Sequence, residues 1–304
     1  MIRRVMLLLC HCILNVNSRA PGIARWKNVV KPVWDIMRRE GYQFIQLPCP
    51  EAFYLGLRRW WFVKEQYSNA LFKDLCKKMS IGCSEILLEN KIKRFKLLCL
   101  GISPSCGYRE TQSDPSWGGS PREVDIESNI TTGPGVLIET MDKIFRDYGF
   151  SYEIYDLPPS IIYPRERVGV KKYPRNFKDS VRELSEFLGF NYKLLNLDEY
   201  DEYVDSDIRS RKILVCPYEA IEKDIETIEK YIDEWYGLMI VPKSNNLTLE
   251  KEEIAFMFAL QVENHLEIGH QITLYNYNEY SLLFQKFIKF LRERDLLEKI
   301  SVLR

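Results

Sequence analysis

Three cysteines carry the strongest chemical signal in the sequence: Cys12, Cys49 and Cys106, 37 and 57 residues apart. Each follows a short apolar run and sits in a polar or turn-forming segment: Cys10-His11-Cys12, Pro48-Cys49-Pro50 and Ser103-Pro104-Ser105-Cys106-Gly107. Thiolates held in tight turns are good ligands for soft metals or clusters. Proline stiffens such a loop, and Gly107 allows close backbone approach to a bulky group. One cysteine at a strand end is more often a small core residue. Three at three strand ends point to a function.

Other residues around these segments have two uses. Arg58-Arg59-Trp60-Trp61 suits a stacking and phosphate-binding surface, or a loop whose tryptophans pack on the core. Arg19 either binds an anionic substrate or ties down its own loop. Cys76 and Cys83 lie seven apart on one helical face and read as core, as does Cys99 inside an apolar run. Cys10 is the exception, because it stands close enough to supply a fourth ligand and close the site. His11 reads as a loop residue. His265 and His270 have metal-like spacing but straddle an expected helix end, which favours a structural role. No phosphate-binding or dinucleotide glycine fingerprint is present, an argument against ATP or NAD.

The elements that must position the cysteines alternate. Val5–Leu9, Tyr42–Leu47 and Phe95–Ile102 are continuous apolar runs, as expected for parallel strands covered on both faces. Helical spacing covers 24–39 up to Gly41, then 64–90 and 135–148, with a strand at 151–155. Strand–helix alternation implies a parallel sheet with helices on both faces, in which ligands bind at the carboxyl ends of strands. The cysteines stand at those ends. Residues 157–175, with Pro158, Pro159, Pro164 and Pro174, read as a linker. The second half alternates again: helices at 177–188, 219–235, 249–263 and from 279, with strands at 192–197, 213–216, 238–241 and 272–275. The expected fold is therefore two α/β domains, residues 1–157 and 158–304, the first a Rossmann-like parallel sheet. Cys216-Pro217 echoes Cys49-Pro50.

The chain has 304 residues, 46% hydrophobic and 28% charged, enough for a substantial core. Its net charge is zero, against a nucleic-acid binder that relies on overall basicity. Residues 1–158 carry five excess basic groups and residues 159–304 five excess acidic ones. A tRNA substrate has only that basic first half in its favour. Eight scattered cysteines are too few for a disulfide scaffold and suit a reducing compartment. His11 interrupts the apolar run Val5–Leu14 and no small-residue cleavage site follows, so this run reads as a strand and not a signal peptide. No run approaches the ~20 apolar residues of a membrane helix. A cytoplasmic protein without membrane association is expected.

The motifs themselves resemble those of the thiouracil desulfurase family. Cys12-Ile-Leu-Asn-Val-Asn-Ser-Arg19-Ala-Pro-Gly22 matches its first motif, with Arg and Gly seven and ten residues after the cysteine. Cys49-Pro50-Glu51 and Ser103-Pro104-Ser105-Cys106-Gly107 match the next two, and Gly133-Pro134-Gly135 with its helix is similar to the last βα unit. The resemblance spans about residues 4–157. It implies a [4Fe–4S] cluster held by Cys12, Cys49 and Cys106, with one iron left open as a Lewis acid for a substrate's sulfur. It further implies Glu51 as general acid or base, with Ser103 and Ser105 orienting substrate or water. Ser105 also suits a turn residue. The sequence departs from the family at Ala20-Pro21 and at Tyr54–Trp61, expected at the pocket rim.

The leading expectation is a [4Fe–4S]-dependent desulfidase or sulfur-transfer enzyme acting on a thiolated nucleobase or other small thio-compound. A different class is an iron–sulfur or zinc binding module without catalysis, with the second domain as an interaction surface. Three ligands favour the first and four the second. A metal-free thiol enzyme is disfavoured, since no histidine partner stands near Cys49 or Cys106 in the sequence.

Overall fold

The computed structural model describes residues 6–117, 129–164, 176–204, 211–275 and 280–303. Pro174, with residues 165–175 of the expected linker, lies outside them. The first half runs β1 (Met6–Leu9), α1 (Lys31–Glu40), β2 (Gln43–Gln46), α2 (Pro50–Leu55), α3 (Lys64–Tyr67), α4 (Ala70–Glu89), β3 (Arg94–Leu100), β4 (Glu110–Gln112), β5 (Ile130–Thr132), α5 (Val136–Asp147) and β6 (Ser151–Leu157). Strands β2-β1-β3-β6 form a parallel sheet in that order, and β4-β5 a small antiparallel pair. All four residues of β1, one of the two inner strands, are buried, which is why its sequence reads as an unbroken apolar run. From β1 the chain moves outward to β2, then returns across β1 to β3. The strand order therefore reverses between β1 and β3, where open α/β sheets bind ligands.

The chain continues through α6 (Pro159–Ile162), α7 (Phe177–Leu188), β7 (Lys212–Pro217), α8 (Tyr218–Lys223), α9 (Ile225–Asp233), β8 (Gly237–Val241), α10 (Leu249–Glu267), β9 (Gln271–Tyr275), α11 (Leu282–Glu293) and β10 (Ser301–Leu303). A second parallel sheet has the order β10-β9-β7-β8. The fold is thus α/β with two parallel sheets flanked by helices. Helix α7 packs on β6 and α1, against the first sheet. Among the described residues no helix is long and apolar enough to cross a membrane.

Four sequence expectations change. The helix expected at 24–39 begins at Lys31, because Pro32 lacks the N–H an interior position needs and belongs in the first turn. Residues 24–30 instead tie the halves together: Trp26 bridges to Val204, and the Asn28 amide donates to the carbonyls of Ile232 and Tyr236. The 64–90 helix breaks at Ser68-Asn69, where the Asn69 side chain caps α4 through the Phe72 amide. The strand expected at 192–197 is irregular, with 3-10 turns at Tyr192–Leu194 and Leu197–Tyr203, since Asn191 caps its own following turn. The helix expected at 219–235 divides at Asp224 into α8 and α9.

The two sheets meet edge to edge through β2 and β8. Gln46 substitutes for a strand backbone there, its Oε1 accepting from the Ile240 amide at 2.7 Å and its Nε2 donating to Leu238 O at 2.9 Å. Gly237, at the start of β8, lies so close that a Cβ would stand 2.7 Å from Asn15 Oδ1.

Helix α10 crosses α4 in close contact, since a Cβ on Gly82 would approach Glu250 O to 2.7 Å. Glu89, the last residue of α4, takes Lys251 Nζ at 2.7 Å and the Asn245 amide at 2.7 Å. Partial burial pushes the Glu89 carboxyl up, but Lys251, Ser244 and the Asn245 amide outweigh it and hold the group below its ordinary value. A lowered folded-state value stabilises the protein above the ordinary carboxylate range, and the gain disappears as pH falls through the lowered value. Glu89→Gln is expected to be less stable than wild type at about pH 6 and to approach it near pH 3, around and below the carboxylate range. Urea melts at the two pH values check this; a gap between variants that does not change with pH would refute the linkage.

Candidate functional site

Each cysteine reaches the site by a different local device. The Cys10 amide donates to Leu98 O and thus completes the β1–β3 ladder. The chain then enters a 3-10 turn at His11–Ile13 that places Cys12 just past the carboxyl end of β1. His11 is buried, with Nδ1 3.1 Å from Leu47 O and Nε2 3.2 Å from the Asn15 amide. Since a carbonyl only accepts, Nδ1 carries the proton, and burial holds the imidazole at about 4, against the partial upward effect of Leu47. Cys49 caps α2, its Sγ accepting the Ala52 amide at 3.4 Å, with Pro50 as the first helical residue. Cys106 closes a serine turn in which Ser103 Oγ accepts the amides of Cys106 (3.0 Å) and Ser105 (3.4 Å).

The Cys106 turn is seated on the start of α5 at a distance only glycine permits. A Cβ on Gly135 would stand 2.5 Å from the Ser105 carbonyl carbon, and one on Gly107 2.6 Å from Glu110 O. Buried Asp156, at the end of β6, accepts the amides of Tyr108 and Arg109 at 3.0 and 2.8 Å and holds the chain that leaves the turn. Ile102, a β-branched residue at φ +58°, is strained backbone in the same wall.

Cys12, Cys49, Cys106 and Cys10 line one cavity, together with Arg19, Glu51, Arg59, Ser103 and the ring side chains of Trp60, Trp61, Phe62 and Tyr163. The cavity lies over the point where the strand order reverses. Cys12 is half-buried and packs against the group formed by Cys49, Ala52 and Leu57. Cys49 is lowered, first by the Cys12 thiol and then by the Arg59 guanidinium, against the opposing effect of burial. Cys106 is raised, first by the Cys10 thiol and then by burial. Cys10 is buried. Cys76, Cys83 and Cys99 are buried core residues.

Glu51 is held by three side chains of the wall and its surroundings. Its Oε2 accepts Arg59 Nε and Tyr67 Oη, each at 3.0 Å, and its Oε1 accepts the Ser105 hydroxyl. Ser105 Oγ also stands 3.3 Å from Cys106 Sγ. Ser103, expected beside substrate or water, lines the cavity while its oxygen satisfies the turn; Ser105 is the serine that touches Glu51. Arg59 further donates to Ser18 O at 2.8 Å and Gly56 O at 3.2 Å, so its guanidinium is committed to protein. Arg58 is exposed and outside the cavity wall. Trp60 stands at the rim, 65% exposed, and Trp61 donates its indole N–H to Gln112. Arg19 is buried, donating to Tyr163 Oη at 2.8 Å, with its guanidinium 4.9 Å above that ring.

Burial would lower Arg59, but Glu51 and then Cys49 more than offset this and raise it. The side chains of the pair are 2% and 13% exposed. Removing one member of a buried pair strands the other charge, at a cost of about 3–5 kcal/mol. Arg59→Met is expected to lose that much in urea unfolding, and a loss under about 1 kcal/mol, the range of a surface pair, would show the ion pair to be solvated.

Tyr67, Tyr163, Gln112 and Asp156 were not legible as site residues. Tyr67 sits in an ordinary helical pattern, and the other three meet the motifs only through tertiary contact.

No family model matches the chain. It is 37% identical over 98 residues to the uncharacterized protein MJ0003 of Methanocaldococcus jannaschii, a stretch covering 32% of this chain and 63% of that relative. Among solved structures it is similar to a [4Fe-4S]-dependent thiouracil desulfidase, TudS. That distant likeness has a TM-score of 0.32 and 17% identity, over 53% of this chain and 97% of the other.

Proposed function

We propose that Cys12, Cys49 and Cys106 hold a [4Fe–4S] cluster, and that the chain is a non-redox desulfidase or sulfur-transfer enzyme for a thiolated nucleobase or other small thio-compound. The observation that carries this reading is the meeting of three strand-end cysteines and a positioned carboxylate in one cavity. Three thiol donors lining one cavity are chemically suited to an iron–sulfur cluster. Among the described residues no three His, Cys, Asp or Glu side chains stand close enough together to hold a metal ion as they are placed. When bound, a cluster with three protein ligands supplies an open iron that acts as a Lewis acid toward the substrate's sulfur.

The chain's own residues would do the rest. Arg59, Tyr67 and Ser105 aim the Glu51 carboxylate, which would take a proton from water or give one to the leaving base. Trp60, Trp61 and Phe62 would pack a planar substrate and keep water from the reacting sulfur. Arg19 and Tyr163 offer a polar end for a substrate oxygen or anion. The two domains, 1–157 and 158–304, would share this task, as argued below.

A second reading has one specific observation in its favour. Cys10 lines the same cavity as Cys12, Cys49 and Cys106, so a four-cysteine, closed site would make the chain a binding module. Anaerobic purification with iron and sulfide analysis, followed by turnover assays on thiolated bases, separates these. Cluster-loaded protein that releases sulfide supports the enzyme; loaded protein inert toward every thiolated base supports the module. A colourless protein after anaerobic reconstitution, or one holding a single zinc, would overturn the cluster itself.

A further inference from the structure

One face of α10 reaches across from the second half and touches two of the three cysteine segments. Gln261, Asn264, His265 and Ile268 recur at i, i+3, i+4 and i+7, which places them on one side of the helix and its cap. Gln261 Nε2 donates to Cys49 O at 3.3 Å, and Asn264 Nδ2 to Ala52 O at 3.0 Å. Both carbonyls already accept a helical amide, from Phe53 and Gly56, so the α10 amides use the remaining lone pairs. Ile268 packs on Cys49, Ala52 and Leu57, in the group that also includes Cys12.

His265 reaches the other segment. Its Nε2 stands 3.1 Å from Ser18 Oγ and 3.4 Å from the Asn15 amide, which is 3.2 Å from His11 Nε2. His270 orients it through an Nδ1–Nδ1 contact of 2.9 Å. All three histidines of the chain are thus spent on a buried polar seam beside Cys12. Cys106, in contrast, is set by the Ser103 turn, Asp156 and α5, all within the first half. Buried polar groups are retained only when paired, and losing one partner leaves the other unsatisfied. An apolar face would have served equally well for packing alone.

We propose that Gln261, Asn264 and His265 are positioning residues that set the separation of the Cys12 and Cys49 thiols, so that residues 158–304 complete the site. The relevance to a cluster rests on the reading above; the thiol spacing does not.

The test uses the full chain, metal-free and reduced, with dibromobimane, which joins two thiols within its span. Peptide mapping gives the share of Cys12 joined to Cys49 rather than modified singly. In Gln261→Met/Asn264→Leu that share is expected to fall at least about fivefold, as the two hydrogen bonds go, with Cys106 reactivity and far-UV circular dichroism unchanged. Asn264→Gln, which keeps an amide, is expected to retain the bridge. An unchanged share in the folded double variant would overturn the proposal. Should the double variant not fold, Asn264→Ala, at a half-buried position, is read by the same criterion. Because the assay needs no metal, failure of the wild type to take up iron would count against the cluster and leave the spacing result standing.

Discussion

Alanine at Cys12, Cys49 or Cys106 is expected to abolish the broad visible absorption and the iron content of anaerobically purified protein, about four irons per chain in wild type. Each of the three closes a different segment onto the cavity, through the turn after β1, the cap of α2 and the serine turn after β3. Cys76, Cys83, Cys99 and Cys216 are buried outside the cavity wall, which leaves Cys10 as the one further thiol that lines it. Cys10→Ala separates the two readings of the site. If three ligands suffice, this variant keeps its colour and iron; if it loses both, the site is closed by four cysteines and the open-iron reading falls. Circular dichroism on the same samples distinguishes a lost ligand from a lost fold, since each alanine removes only one small side-chain atom.

The second large effect is expected at Glu51. Glu51→Gln should retain the cluster signature and lose turnover by about 10²–10⁴-fold, the range of a general acid–base group. Glutamine keeps the length of the side chain and a carbonyl oxygen for Tyr67 or Arg59, so the cavity wall persists. It cannot carry a proton between substrate and water, and it leaves the Arg59 charge without its counterion. The loss of turnover is therefore expected with a measurable loss of stability, which Arg59→Met would show without the same chemical defect. Ser105→Ala, removing only the hydroxyl on Oε1, is expected between wild type and Glu51→Gln. Unchanged turnover in Glu51→Gln, with the cluster intact, would remove its assigned role.

Sequence reading went astray for two reasons, one local and one long-range. Residues 192–197 alternate in a way that suits a strand, yet Asn191 and the following turns satisfy their backbone locally. At 24–30 the apolar spacing serves contacts with the second half, 170 to more than 200 residues away in sequence, instead of continuing α1. Arg59 shows the same limit at the level of one side chain. Beside an exposed Arg58 it reads as a second cation for a phosphate, but burial commits it to Glu51 and two carbonyls.

By itself the sequence determined the α/β class, the strands of the first sheet and the standing of three cysteines at their ends. Those features are local: apolar runs of strand length, proline and glycine at the turns, and motifs of a few residues. Tertiary structure decided which serine touches Glu51, that Tyr67 and Arg59 hold it, and that α10 reaches the Cys49 and Cys12 segments. Gln261 and Cys49 are 212 residues apart. A single hydrogen bond over that distance imposes no periodicity on either segment, so only the folded chain reveals it.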